Sequence, residues 1–174
     1  MKAAAAVGRR YGARELNGLA TIGVYGFDAD AFLRTLRDAD VRVVLDVRQR
    51  RGVRGREYAW ANSARLQAAL ADAGIGYRHL KELAPTTELR RLQYAADARA
   101  GVGKRSRAEL APEYAARYTR EILDPAGVDA VVDALPPSGR AALLCVERDP
   151  EACHRSLIAS RVAERGVGVT DLRP

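Results

Sequence analysis

The chain has 174 residues, 48% of them hydrophobic and 29% charged, with a formal net charge of +7. That size and balance suit one globular core. No apolar run approaches the ~20 residues of a membrane span, and Met1 to Val7 is too short and too weakly apolar for a secretory signal. Two cysteines make no disulfide framework, so the expectation is a cytoplasmic protein with free thiols and no membrane partner.

Residues 1–18, rich in Ala, Gly and Arg, read as a flexible basic arm, and residues 19–174 as a single domain. Leu19 to Tyr25 is a first strand. Asp28 to Asp38 follows as a helix, with Asp28 placed to cap it and Phe32, Leu33 and Leu36 at helical spacing. Val41 to Val47 is short and β-branched, as a buried parallel strand is. Next comes a basic loop: Arg48, Arg50, Arg51, Arg54 and Arg56 lie within nine residues with no acid among them. An Arg-rich composition also follows from a GC-rich genome, but this clustering would attract phosphate or a nucleic-acid backbone. The alternative is a solvated loop.

Ser63 to Ala73 reads as a helix closed by Gly74, and Ile75 to Leu80 as a short strand. Residues 81–112 are polar and irregular around a helix through Glu88 to Arg99, with a flexible Gly101 to Arg107 segment. Pro112 to Leu123 is a helix carrying Tyr114 and Tyr118; Val128 to Leu135 continues it or begins another. Ala141 to Leu144 is a buried strand, the residues from Arg155 place Leu157, Ile158, Val162 and Ala163 on one helical stripe, and Val167 to Leu172 is a terminal strand. Strands alternating with helices predict an α/β domain with a mainly parallel sheet, Rossmann-like or rhodanese-like in kind.

The chemistry concentrates between Cys145 and Ser156, which hold both cysteines and one of two histidines. This stretch is a loop from the C-end of a strand to the N-end of a helix, where open α/β sheets bind ligands. A helix N-terminus there suits a thiolate or an anion. Cys153, beside His154 and Arg155, is a candidate nucleophile or redox thiol, or else a small apolar anchor. Cys145 ends a strand and reads first as a core thiol, and a disulfide between the two is open. Glu147 is a candidate acid or base. Asp46 is a candidate base, or the partner of an arginine. Arg48 and Arg155 are candidate anion clamps, with Ser156, His79, Arg50 and Arg51 as further substrate contacts and Tyr58 as a stacking surface for a base. No metal is expected, because adjacent Cys-His side chains rarely aim at one ion and no Cys-x-x-Cys is present. The residues name no cofactor and set no oligomeric state.

Thr21-Ile22-Gly23, Leu45-Asp46-Val47-Arg48, Tyr77-Arg78-His79-Leu80-Lys81-Glu82-Leu83 and the run from Leu144 through Cys153-His154-Arg155-Ser156 resemble the bacterial domain-of-unknown-function family 488 across residues 20–173. Two departures are Val24-Tyr25, where the family commonly has His-Ser, and Leu83-Ala84, where it has Leu-Gly. A looser similarity joins Asp46-Val47-Arg48 and the order Cys145, Arg155, Ser156 to rhodanese-like domains. The first resemblance implies a compact α/β domain and no settled activity. The leading expectation is an enzyme acting on a phosphate-bearing substrate, a nucleotide or nucleic acid. A non-catalytic nucleic-acid binding module and a rhodanese-like sulfur carrier are the alternatives.

Overall fold

The computed structural model describes residues 18–174; the basic arm expected over residues 1–18 lies outside them but for Gly18. Five strands form one sheet in the order β3-β2-β4-β1-β5, every pairing parallel. They are β1 (Leu19–Gly23), β2 (Val41–Asp46), β3 (Gly76–His79), β4 (Arg140–Cys145) and β5 (Val169–Leu172). The expected alternation of strands and helices is therefore what the chain adopts.

The helices are α1 (Ala29–Asp38), α2 (Ser63–Asp72), α3 (Thr87–Ala100), α4 (Pro112–Tyr118), α5 (Asp124–Ala126), α6 (Asp129–Asp133) and α7 (Arg155–Ala163). Asp28 caps α1, its carboxylate accepting the Ala31 N–H at 2.7 Å. Phe32 and Leu36 of α1 are fully buried, each side chain contributing roughly 1.5–3 kcal/mol. Thr86 caps α3 and Gly101, at φ 68°, ends it. A π turn over Thr119–Leu123 carries α4 into α5. Gly127, at φ 66° and ψ −167°, then breaks the chain, so α6 begins anew.

β4 is the centre of the sheet, flanked by β2 and β1. Its side chains alternate between two cores. Ala142 and Leu144 face one core with Phe32, Leu36, Leu66 and Leu70 of α1 and α2. Ala141, Leu143 and Cys145 face the other, with Tyr114, Tyr118, Val131, Ile158 and Val162 of α4, α6 and α7. This alternation aims the Cys145 thiol at the start of α7.

Gly23 ends β1 against the loop that leaves β4. A Cβ at this position would lie 1.8 Å from the Glu147 carbonyl oxygen, so only glycine lets that loop cross the strand end. Beyond the strands, Val24 N–H and Tyr25 N–H both donate to the Val146 carbonyl at 3.0 Å, and Val47 N–H to Leu144 at 3.1 Å. The ends of β1, β2 and β4 are thereby tied into one edge. Among the described residues no helix is long and apolar enough to cross a membrane.

Candidate active site

Some expected site residues turn out to hold this edge together. Asp46 Oδ1 accepts from the Arg48 backbone N–H at 3.0 Å and Nε at 2.9 Å, and Oδ2 from Arg48 Nη2 and the Tyr77 hydroxyl, each at 2.7 Å. Arg48 Nη1 donates to the Ala61 carbonyl at 2.9 Å. Asp46 is fully buried and Arg48 is 1% exposed. Each charge is spent on the other, which corrects the reading of Asp46 as a base and Arg48 as a clamp. Arg155 is also fully buried. It donates to the Glu147 carbonyl at 2.7 Å, the Arg148 carbonyl at 3.0 Å and Thr21 Oγ1 at 3.4 Å. It fastens the loop after β4, and, fully buried, it does not line the cavity.

His79 Nε2 lies 3.0 Å from the Arg48 carbonyl, and the Ser156 hydroxyl donates to the Cys153 carbonyl at 2.9 Å. Arg51 reaches the Tyr77 hydroxyl at 3.4 Å. The Tyr58 ring packs on Tyr25, centroids 5.1 Å apart, and under the Arg105 guanidinium at 5.2 Å, so it is not open for stacking a base. Asp149 pairs with Arg173. Of Asp46, Arg48, Glu147 and Arg155, only Glu147 and Arg48, whose guanidinium is already engaged, line one cavity.

What does converge is the sulfur chemistry. His154 Nδ1 lies 3.8 Å from Cys145 Sγ and 3.7 Å from Cys153 Sγ. Its Nε2 lies 3.0 Å from the Val47 carbonyl. A carbonyl only accepts, so Nε2 carries a hydrogen and Nδ1 is the ring nitrogen turned to the two sulfurs. The Tyr118 ring packs against the imidazole at 5.2 Å, its hydroxyl donating to Leu83 at 2.6 Å. Glu147 Oε2 sits 3.5 Å from Cys145 Sγ. Both cysteines are free thiols.

Burial pushes the Cys153 thiol up, but the hydrogen bond from Cys145 and the charges of His154 and Arg155 outweigh it and hold the thiol well below its usual value. The bond to Cys153 and burial together drive Cys145 well above. Burial and the facing Cys153 raise Glu147, against Lys104 and Arg107. Two sulfurs whose thiols are shifted in opposite directions and an imidazole thus share the floor of the site. Cys153 is 1% exposed and Cys145 5%, so both sulfurs are buried.

Above this floor is a cavity of about 460 Å³ between the basic loop, α3 and the loop after β4. Cys145, Glu147, Cys153 and His154 line it, as do Arg50, Arg54, Arg90 and Lys104. None of those four cations has a carboxylate partner among the described residues. Arg90 is steered by the Gln49 side chain at 2.8 Å and the Tyr94 hydroxyl at 2.8 Å. Among the described residues Glu147 is the only carboxylate on the lining. The basic loop therefore contributes Arg50 and Arg54 to the cavity, and not Arg51.

One side of the wall was not foreseen. Arg107 grips both Asp97 oxygens, with Nη2 at 2.6 Å, and reaches Glu147 Oε1 at 3.5 Å and the Ala152 carbonyl at 3.3 Å. Gln93 donates to Asp97 at 2.8 Å and accepts the Ala111 N–H at 2.9 Å. The segment expected to be flexible is pinned at Arg107. The available signal was Gln93 and Asp97, one helical turn apart on α3.

Residues 28–162 match the family described as domain of unknown function DUF488. The match covers well over half of the chain, which belongs to this family. No curated protein and no solved structure matches it, so these comparisons lend no support to the looser likeness to rhodanese-like domains.

Proposed function

We propose that this member of the DUF488 family is a thiol-dependent enzyme acting on a small phosphate-bearing substrate. One observation carries the reading: the Cys153–His154 pair, its imidazole anchored through Nε2, forms the floor of a cavity lined by four cations that have no carboxylate partner among the described residues. A thiol, a base and a third group that orients the base are what nucleophilic catalysis requires. The cavity falls within the ~300–1,000 Å³ range of small-molecule sites, which favours a nucleotide or a phosphate ester over a duplex.

Arg50, Arg54, Arg90 and Lys104 would hold the phosphate. Cys153 gives its proton to His154 Nδ1, and the thiolate bonds to the electrophilic centre as the bond to the leaving group breaks. The leaving group takes the proton from Nδ1. Water, losing a proton to the same nitrogen, then releases the group from sulfur. Glu147, whose carboxyl is raised by burial, lines the cavity beside the sulfurs, where its protonated form would donate a hydrogen bond to charge that develops on the substrate.

The test is alkylation of the reduced, chelator-treated protein with iodoacetamide, read by mass spectrometry. Cys153 is expected to react, inorganic pyrophosphate to slow it, and Arg50→Ala/Arg90→Ala to abolish that protection. A Cys153 that stays unmodified in the native protein, or protection that survives in the double variant, refutes the reading.

A further inference from the structure

We infer that Cys145, Cys153 and His154 also form a binding site for one zinc ion. The two Sγ atoms and an imidazole nitrogen all lie within 4.8 Å of one another, and the sulfur–nitrogen edges are 3.8 and 3.7 Å. Tetrahedral zinc, with bonds of ~2.3 Å to sulfur and ~2.0–2.1 Å to nitrogen, sets such an edge at about 3.6 Å. Each observed edge is within about 0.2 Å of that length.

Nδ1 has a single lone pair, so only one of the two sulfurs facing it can donate to it, and Cys145 has Glu147 Oε2 at 3.5 Å as its other acceptor. A cation at the centre of the triangle engages all three atoms at once. The second shell is in place as well: Nε2–H on the Val47 carbonyl at 3.0 Å fixes the ring as metal-bound histidines are fixed. Two thiolates and an imidazole select a thiophilic ion and not magnesium or calcium, which take oxygen ligands. The described residues offer three donors, and the same residues line the cavity, which leaves the fourth position to it. Three protein ligands with one open position is the arrangement of a reactive zinc site, not of a closed structural one.

The site does not rest on the enzyme reading, but it uses the same atoms. Zinc engages Cys153 Sγ and His154 Nδ1, so the zinc-bound protein has neither nucleophile nor base. The thiol-active and zinc-bound forms exclude one another.

The full chain, reduced and stripped with a chelator, is titrated with Zn²⁺ against a chromophoric chelator and with Co²⁺ by absorption. The expected result is one equivalent, a thiolate-to-cobalt charge-transfer band and the intense visible bands of four-coordinate cobalt. Cys145→Ser and His154→Gln, checked for folding by circular dichroism, should each weaken binding at least about 100-fold. Zinc should also shield both cysteines of the wild type from alkylation, a readout that needs no variant. Failure to compete with the chelator, a six-coordinate cobalt spectrum, unshielded thiols or unchanged affinity in folded variants overturns the proposal. Pyrophosphate protection of metal-free Cys153 bears on the enzyme reading alone, so the two can fail separately.

Discussion

Replacing Asp46 by Asn separates a brace from a catalytic base. Asn has nearly the same shape, but its amide cannot accept the bonds that Oδ2 takes from Arg48 Nη2 and the Tyr77 hydroxyl at 2.7 Å. The Arg48 guanidinium, 1% exposed, is left charged in the core with only the Ala61 carbonyl and one oxygen. Removing one partner of such a pair costs about 3–5 kcal/mol. In a chain of this length that lowers Tm by about 6–20 °C, at about 2–4 °C per kcal/mol. The second arm is Asp46→Asn/Arg48→Met, which removes the stranded charge. It still leaves the Ala61 carbonyl unpaired, so it should sit about 1–3 kcal/mol below wild type and above the single variant. Urea unfolding monitored by circular dichroism gives each value. A cost under about 1 kcal/mol for the single variant, or a double variant no more stable than it, refutes the brace.

Gly23→Ala should cost about 2–3 kcal/mol, since its Cβ would stand 1.8 Å from the Glu147 carbonyl; a lower urea midpoint with unchanged slope checks it. Arg155→Lys keeps the charge but loses the fork that holds two carbonyls, and should cost about 1–3 kcal/mol. Exposed Arg50→Ala should stay within about 0.5 kcal/mol by the same measurement. Burial raises the Asp97 carboxyl, but Arg107 and Gln93 more than offset this and hold it below its usual range. Its contribution is therefore complete above the unfolded carboxylate pKa of ~3.9 and is lost as pH falls through the lower folded value. The stability gap between wild type and Asp97→Asn, from urea midpoints at pH 7 down to 3, should narrow only at the acid end. A gap that is constant with pH contradicts the ion pair.

The fold was legible because its signals are local. Asp28 before an amphipathic stretch, the β-branched run of β2 and the apolar run of β4 each name an element without help from the rest of the chain. The thiol–imidazole floor was legible for the same reason, since Cys145, Glu147, Cys153 and His154 lie in one short segment. The direction of a guanidinium was not. Arg48 and Arg155 look the same whether they clamp an anion or tie down carbonyls, and the carbonyls that claim them come from Ala61, Glu147 and Arg148. Arg107 sits in a Gly-rich stretch, and its partner Asp97 stands on the preceding helix. Which residues form the floor was legible; that Cys153 and His154 aim at one point was not, because neighbours diverge on any regular element. Here Cys153 is extended, at φ −139° and ψ 145°, and His154 helical, at φ −60° and ψ −19°. That change of conformation between adjacent residues brings both side chains to one side.

The place of β4 has a bearing on synthesis. β2 meets only β3 and β4, and β1 only β4 and β5, so no hydrogen bond of the sheet joins the two halves until the chain has grown past Cys145. A ribosome that has made everything up to α6 presents a β2–β3 ribbon and a solitary β1, both with open edges able to recruit other chains. The strand that closes that gap carries Cys145, and Cys153 and His154 follow in the next loop. The reactive cluster therefore assembles only after the strand that joins the sheet has been made.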